Sequence, residues 1–203
     1  MAKLCILLFL VTVSAVIAAN DTRTAVVHLK TATVEGNVTF QQIGNGHVRI
    51  TGLITGLENG KHGFHIHERG DIVPCEAAGG HYNPLMKNHG SPTAAERHVG
   101  DLGNIESSDG KAMIDFEDNV ISLIGEYSIV GRSLVIHANE DDLGNTTHPQ
   151  SKTTGNAGGR VACGVIGIKD PVNNWPRGTS ASSTLSALSV GVVSVIAALL
   201  STF

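Results

Sequence analysis

The chain predicts an all-β fold, an antiparallel sandwich or barrel, and three observations carry that reading. Short runs rich in β-branched residues recur through its middle. Hairpin-type turn signals separate several of them, at Gly44-Asn45-Gly46, Asn59-Gly60 and Asp109-Gly110. Inside the central domain no long stretch repeats apolar residues at helical spacing. The runs expected as strands are, in order, Ala25 to Leu29, Val34 to Phe40, Val48 to Ile54, His62 to His67, Ala112 to Phe116, Val120 to Ile124, Ser133 to His137 and Val161 to Ile168. Two segments break the rhythm. Arg69 to Asn104 and Ala138 to Arg160 are long, polar and Gly-rich, and long ordered loops in a compact domain are usually functional.

The two ends read differently. Residues 1–19 carry Lys3, then an apolar run, then Ala18 and Ala19 before Asn20, the pattern of a secretory signal peptide. Residues 20–170 are expected to form one domain with a sizeable core. A small, polar stretch follows over 171–184, and from Leu185 to Phe203 no residue is charged. Small residues, a polar spacer and a terminal apolar tail with no basic residue after it match a GPI-attachment signal, with a single membrane span as the alternative. Gly178, Ser180 and Ser182 are all small enough to be the attachment residue. With Cys5 leaving in the signal peptide, Cys75 and Cys163 remain, and an even pair in a secreted chain reads as a disulfide. It would close a loop of about 88 residues, worth about 4.6 kcal/mol in the chain-entropy treatment. Asn20, Asn37 and Asn145 open glycosylation sequons. The net charge of −4 argues against a nucleic-acid partner.

The histidines carry the chemistry. His65 and His67 lie two apart on an expected strand and so point to one face, while His62 is out of phase and suits a hydrogen-bonding role. With His137, which ends another apolar strand, they make a set of three imidazoles suited to copper, though also acceptable to zinc. The first long loop holds His81, His89, His98 and Asp101, three nitrogens and one oxygen that form a reasonable closed zinc set. His28, His47 and His148 read as surface or sheet residues.

Several motifs together resemble the copper/zinc superoxide dismutase family: Gly63-Phe64-His65-Ile66-His67-Glu68, Gly80-His81-Tyr82-Asn83-Pro84, Glu96 to Asn104, Gly131 to His137, Asp141-Asp142-Leu143-Gly144 and Gly155 to Gly164. The resemblance runs from about Thr24 to Ile168. It implies an eight-stranded Greek-key sandwich or flattened barrel with two long functional loops. It implies one copper on His65, His67, His81 and His137, and one zinc on His81, His89, His98 and Asp101. His81 would be shared by the two metals and would supply a proton to the product. Asp141 would orient His65 and His89, Cys75 and Cys163 match the family's disulfide, and Arg160 matches its active-site arginine. The implied reaction is dismutation of superoxide to O2 and H2O2. The alternative is a non-enzymatic metal-binding or interaction domain of the same fold. The family's usual homodimer is in tension with Arg69, charged where many members have an apolar residue at the dimer face, and with a glycan at Asn37.

Overall fold

A computed structural model describes residues 22–169 and Trp175. The segments expected as signal peptide, linker and anchor tail, and Asn20 itself, lie outside the described residues. Among the described residues, nine strands form two antiparallel sheets. The first sheet runs in the order β6 (Lys111–Asp118), β3 (Val48–Thr55), β2 (Glu35–Ile43), β1 (Thr22–Lys30), β9 (Gly167–Lys169). The second runs β5 (Asp101–Ser107), β4 (Gly60–His67), β7 (Ser133–His137), β8 (Arg160–Val165). The chain crosses between the sheets after β3, β5, β6 and β8, which gives the Greek-key sandwich. One short helix, α1 (Ser151–Thr154), and a 3₁₀ turn over Cys75–Ala78 are the helical elements among the described residues.

Alternation drives this fold. Val38 and Phe40 on β2, Val48, Ile50 and Ile54 on β3, and Ala112 and Ile114 on β6 point inward and are buried. Phe64 and Ile66 on β4 and Leu134 and Ile136 on β7 meet them from the second sheet. Phe64 packs edge-on against Phe116, with ring centroids 6.2 Å apart.

Three expectations are corrected. The run Val161 to Ile168 is two strands, because Ile166 breaks it. Ile166 is buried, and its N–H and C=O bond Arg132 and Gly131, so the chain leaves the second sheet and joins β1 as β9. Nine strands thus replace eight without changing the architecture. Val120 to Ile124 forms no strand. Asp118 Oδ1 accepts from the backbone N–H groups of Val120 and Ile121, and Gln42 Oε1 from that of Leu123, so side chains take bonds that a strand would give to a neighbour. Conversely, the segment expected as loop ends at Asn104, yet Asp101–Ser107 pairs along β4, with a register shift between Gly63 and His65.

Candidate metal centre

β4 is buried on both faces. Phe64 and Ile66 enter the core, so His65 and His67 must face the opposite side, under the two long loops. β7 pairs with β4 in a register that sets Leu134 opposite Ile66 and Val135 opposite His65, which places His137 at the strand end beside them. An isolated bridge joins His67 to His81 and brings the first loop across. The outcome is two overlapping groups. One is His65, His67, His81 and His137; the other is His81, His89, His98 and Asp101; in each, one ligand atom per residue lies within 4.8 Å of the rest. His81 belongs to both. A third set joins His65 and His89 to Asp141.

The hydrogen bonds around these rings fix which nitrogen faces inward. His67 Nδ1 donates to Gly79 O at 2.9 Å, and His137 Nδ1 to Gly158 O at 3.1 Å. A carbonyl only accepts, so both Nδ1 atoms carry the proton and both Nε2 atoms present lone pairs. Those two lone pairs face each other at 3.3 Å. His65 Nε2 and His89 Nε2 donate to the two oxygens of Asp141, each at 2.8 Å. Their Nδ1 atoms, together with His81 Nε2, are buried with no hydrogen-bond partner. His89 Nδ1 lies 3.0 Å from Asp101 Oδ1 but out of line for a hydrogen bond. Asp101 Oδ1 also lies 2.8 Å from His81 Nδ1 and 3.0 Å from His98 Nδ1. Convergent buried lone pairs that nothing among the described residues satisfies are what a bound cation requires, so the side chains fit two metals.

The electrostatics agree. Burial, reinforced by His81 beside it, pushes the His65 imidazole down to about 3. Burial likewise takes His67 down to about 2 and His137 to about 4, and it lowers His81. These rings stay neutral at physiological pH, the state that binds metal. Burial opposes the charge on Asp141, but hydrogen bonds from His65 and His89 hold its carboxyl at about 2. Asp101 is held well below the usual carboxylate range by His81, His89 and His98, against its burial. His89 goes the other way: despite burial, the Asp101 and Asp141 carboxylates beside its two ring nitrogens carry it up to about 9. A proton on His89 therefore stands where a cation would, and metal binding would expel it.

Arg160 opens β8 directly opposite His137 in the ladder. Its guanidinium donates to Cys75 O at 2.7 Å and to Gly79 O. The Cys75–Cys163 disulfide ties that carbonyl-bearing turn to β8, so covalent and hydrogen bonds hold the same junction. Arg160, His67, His81, His137, Gln150 and Thr154 line a cleft of about 330 Å³. Burial lowers the Arg160 pKa from its ordinary value, but arginine remains charged at any physiological pH.

His62 sits apart, bonding His137 O and Glu58 O at 2.8 and 3.0 Å, in the hydrogen-bonding role its strand parity suggested. Sequence reasoning missed three supports. Asn104 clamps the Asp141 backbone from both sides: its Oδ1 accepts from Asp141 N, and its Nδ2 donates to Asp141 O. Gly155 has φ 64°, and a Cβ there would overlap Asp141 Oδ1. Buried Arg97 reaches Pro92 O, His98 O, Val99 O and Asp118 and ties the zinc-set loop to the end of β6. Arg97 lies within the Glu96 to Asn104 motif, but nothing local in the sequence points to its partner Asp118.

The sequence model of the family described as copper/zinc superoxide dismutase matches residues 34–166. A copper/zinc superoxide dismutase of Dictyostelium discoideum is 54% identical over 138 residues, 66% of this chain and 91% of that protein. An extracellular copper/zinc superoxide dismutase of Caenorhabditis elegans is 55% identical over 134 residues, 65% of this chain and 60% of that protein. Another, of Drosophila melanogaster, is 55% identical over 141 residues, 67% of this chain and 77% of that protein. Among solved structures, the crystal structure of the clock protein EA4 superposes with a TM-score of 0.70 at 50% identity, covering 72% of this chain and 94% of that one.

Proposed function

The chain belongs to the copper/zinc superoxide dismutase family and is a superoxide dismutase that uses copper and zinc; on that premise we propose how its own residues divide the work, and where in the cell they do it. Copper would be held by His65 Nδ1 and by the Nε2 atoms of His67, His81 and His137. Zinc would be held by the Nδ1 atoms of His81, His89 and His98 and by Asp101. The observation that carries this division is the orphaned set of buried ring nitrogens, each belonging to an imidazole whose opposite nitrogen is already engaged.

Two superoxide anions and two protons give O2 and H2O2, and copper, when bound, supplies the one-electron exchange in each half. Arg160 would receive the anion. Its fixed guanidinium lies in the cleft beside His137 and offsets locally the protein's net negative charge. His81 would hold and deliver a proton at Nε2, with its Nδ1 engaged on the Asp101 side. Asp141 would keep His65 and His89 in the tautomer and orientation that both sites need. Metal analysis with a superoxide assay on the purified domain tests the division. One copper and one zinc per chain with high activity are expected; zinc alone without activity would refute it.

We place the enzyme outside the cell, in line with its extracellular relatives, on the outer membrane face and held by a C-terminal GPI anchor. Residues 1–19 would be removed, and the sequons would be open to glycosylation. Release from intact cells by a phosphatidylinositol-specific phospholipase is the expected result; failure to release, with the intact tail found by mass spectrometry, would favour a membrane span. A homodimer would have to accommodate Arg69, whose side chain is 61% exposed and paired with Glu68 at 2.9 Å. Sedimentation of the purified domain measures whether it does.

A further inference from the structure

We propose that Asn37 carries an N-linked glycan whose first sugars lie across Leu53 and Met113 on the outer face of the five-stranded sheet. The inference rests on the secretory reading above and adds to it a single modified residue and the surface that its glycan covers.

The strand registers set four residues in one row across that face: His28 opposite Asn37, Asn37 opposite Leu53, and Leu53 opposite Met113. Leu53 is 47% exposed and Met113 86% exposed, an apolar cross-strand pair facing water with no protein element over it among the described residues. A sheet face that exposes adjacent apolar side chains invites association unless something covers it. Asn37 is exposed, and Thr39, the hydroxyl residue of its sequon, points outward on the same strand. His28 Nδ1 bonds Asn37 Oδ1, which leaves the amide nitrogen, the atom that bears a glycan, outside that contact. Met113 stands two strands away, roughly 10 Å, so a sugar chain leaving Asn37 toward β6 must pass over Leu53 first. The ring faces of sugars carry C–H groups and pack on such side chains, while their hydroxyls remain in water.

The chain supplies its own control. Once the signal peptide is gone, its methionines are Met86 and Met113. They are 91% and 86% exposed, so the bare protein should oxidise both at similar rates. Hydrogen peroxide transfers one oxygen to the thioether sulfur and leaves as water. The experiment is peptide mass spectrometry of the full chain secreted from eukaryotic cells, before and after timed exposure to hydrogen peroxide, alongside the Thr39→Ala variant, which abolishes the sequon. Asn37 should be occupied, Met113 should oxidise several-fold more slowly than Met86, and the difference should vanish in Thr39→Ala. Equal rates with Asn37 occupied would overturn the covering. A secreted chain with its signal peptide removed and Cys75–Cys163 joined, yet with Asn37 bare, would overturn the site while leaving the secretory reading intact. A chain that keeps residues 1–19 and is unmodified would overturn both.

Discussion

Two carbonyl oxygens, from Cys75 and Gly79, fix the Arg160 guanidinium, and Gly79 O also receives the Nδ1 proton of His67. The side chain proposed to meet the anion and one proposed to hold copper are thus set from a single backbone turn. Replacing Arg160 with Ala removes the charge but none of the eight metal-facing nitrogen and oxygen groups. We expect kcat/KM to fall by at least about tenfold, the low end of what electrostatic focusing contributes. Copper and zinc content should be unchanged, and the dependence of kcat/KM on ionic strength should weaken. Unchanged activity at low ionic strength would remove Arg160 from the mechanism.

Legibility in the sequence varied with how local the cause was. β1, β2, β3, β6 and β7 could be read because alternating burial and turn residues act within a few positions, as at Val48, Ile50 and Ile54. β5 escaped because Leu102-Gly103-Asn104 lacks the β-branched pattern and is held by pairing with β4. The histidines proposed as ligands could be grouped by spacing and resemblance, but their tautomers could not. These depend on Gly79 O, Gly158 O and Asp141, and Asp141 lies 76 residues from His65. Short helix α1 shows the same limit. It ends at Gly155 in a left-handed conformation, an ordinary reason for glycine. Only the fold reveals that a Cβ there would overlap Asp141 and come within 2.6 Å of His89 Nε2. Gly155→Ala should therefore behave as an Asp141 lesion. We expect metal affinity, measured by chelator competition, to drop roughly 10–100-fold while the far-ultraviolet spectrum stays that of a β-protein.

Taken whole, the domain hides an unusual concentration of titratable groups, and its stability should depend on pH and on metal together. In the folded metal-free chain, His65, His67 and His137 are held at about 3, about 2 and about 4, whereas the unfolded chain takes up those protons near 6.5. Between those values the unfolded state binds more protons, so acidification from 6.5 toward 4 should lower Tm. His89, raised to about 9, has the opposite sign: its contribution is complete below 6.5 and is lost as pH rises through 9. Calorimetry of the metal-free domain should show Tm falling on the acid side, with a weaker decline on the alkaline side; loading both metals should raise Tm throughout the neutral range. A Tm independent of pH between 4 and 6.5 would contradict the burial argument. The switch at Ile166 reaches further, into the order in which the protein is made. Because β9 seals β1, the first of the described strands to be synthesised waits for the last of them. Until Gly167 to Lys169 emerge, β1 presents an unpaired edge to whatever else is folding nearby. Every residue proposed to hold metal, from His65 to His137, has by then already left the ribosome. A nascent chain can thus possess its complete set of ligands while its outer sheet is still open, and a truncation that spares the entire metal centre but ends before Gly167 should be a client of chaperones rather than an enzyme.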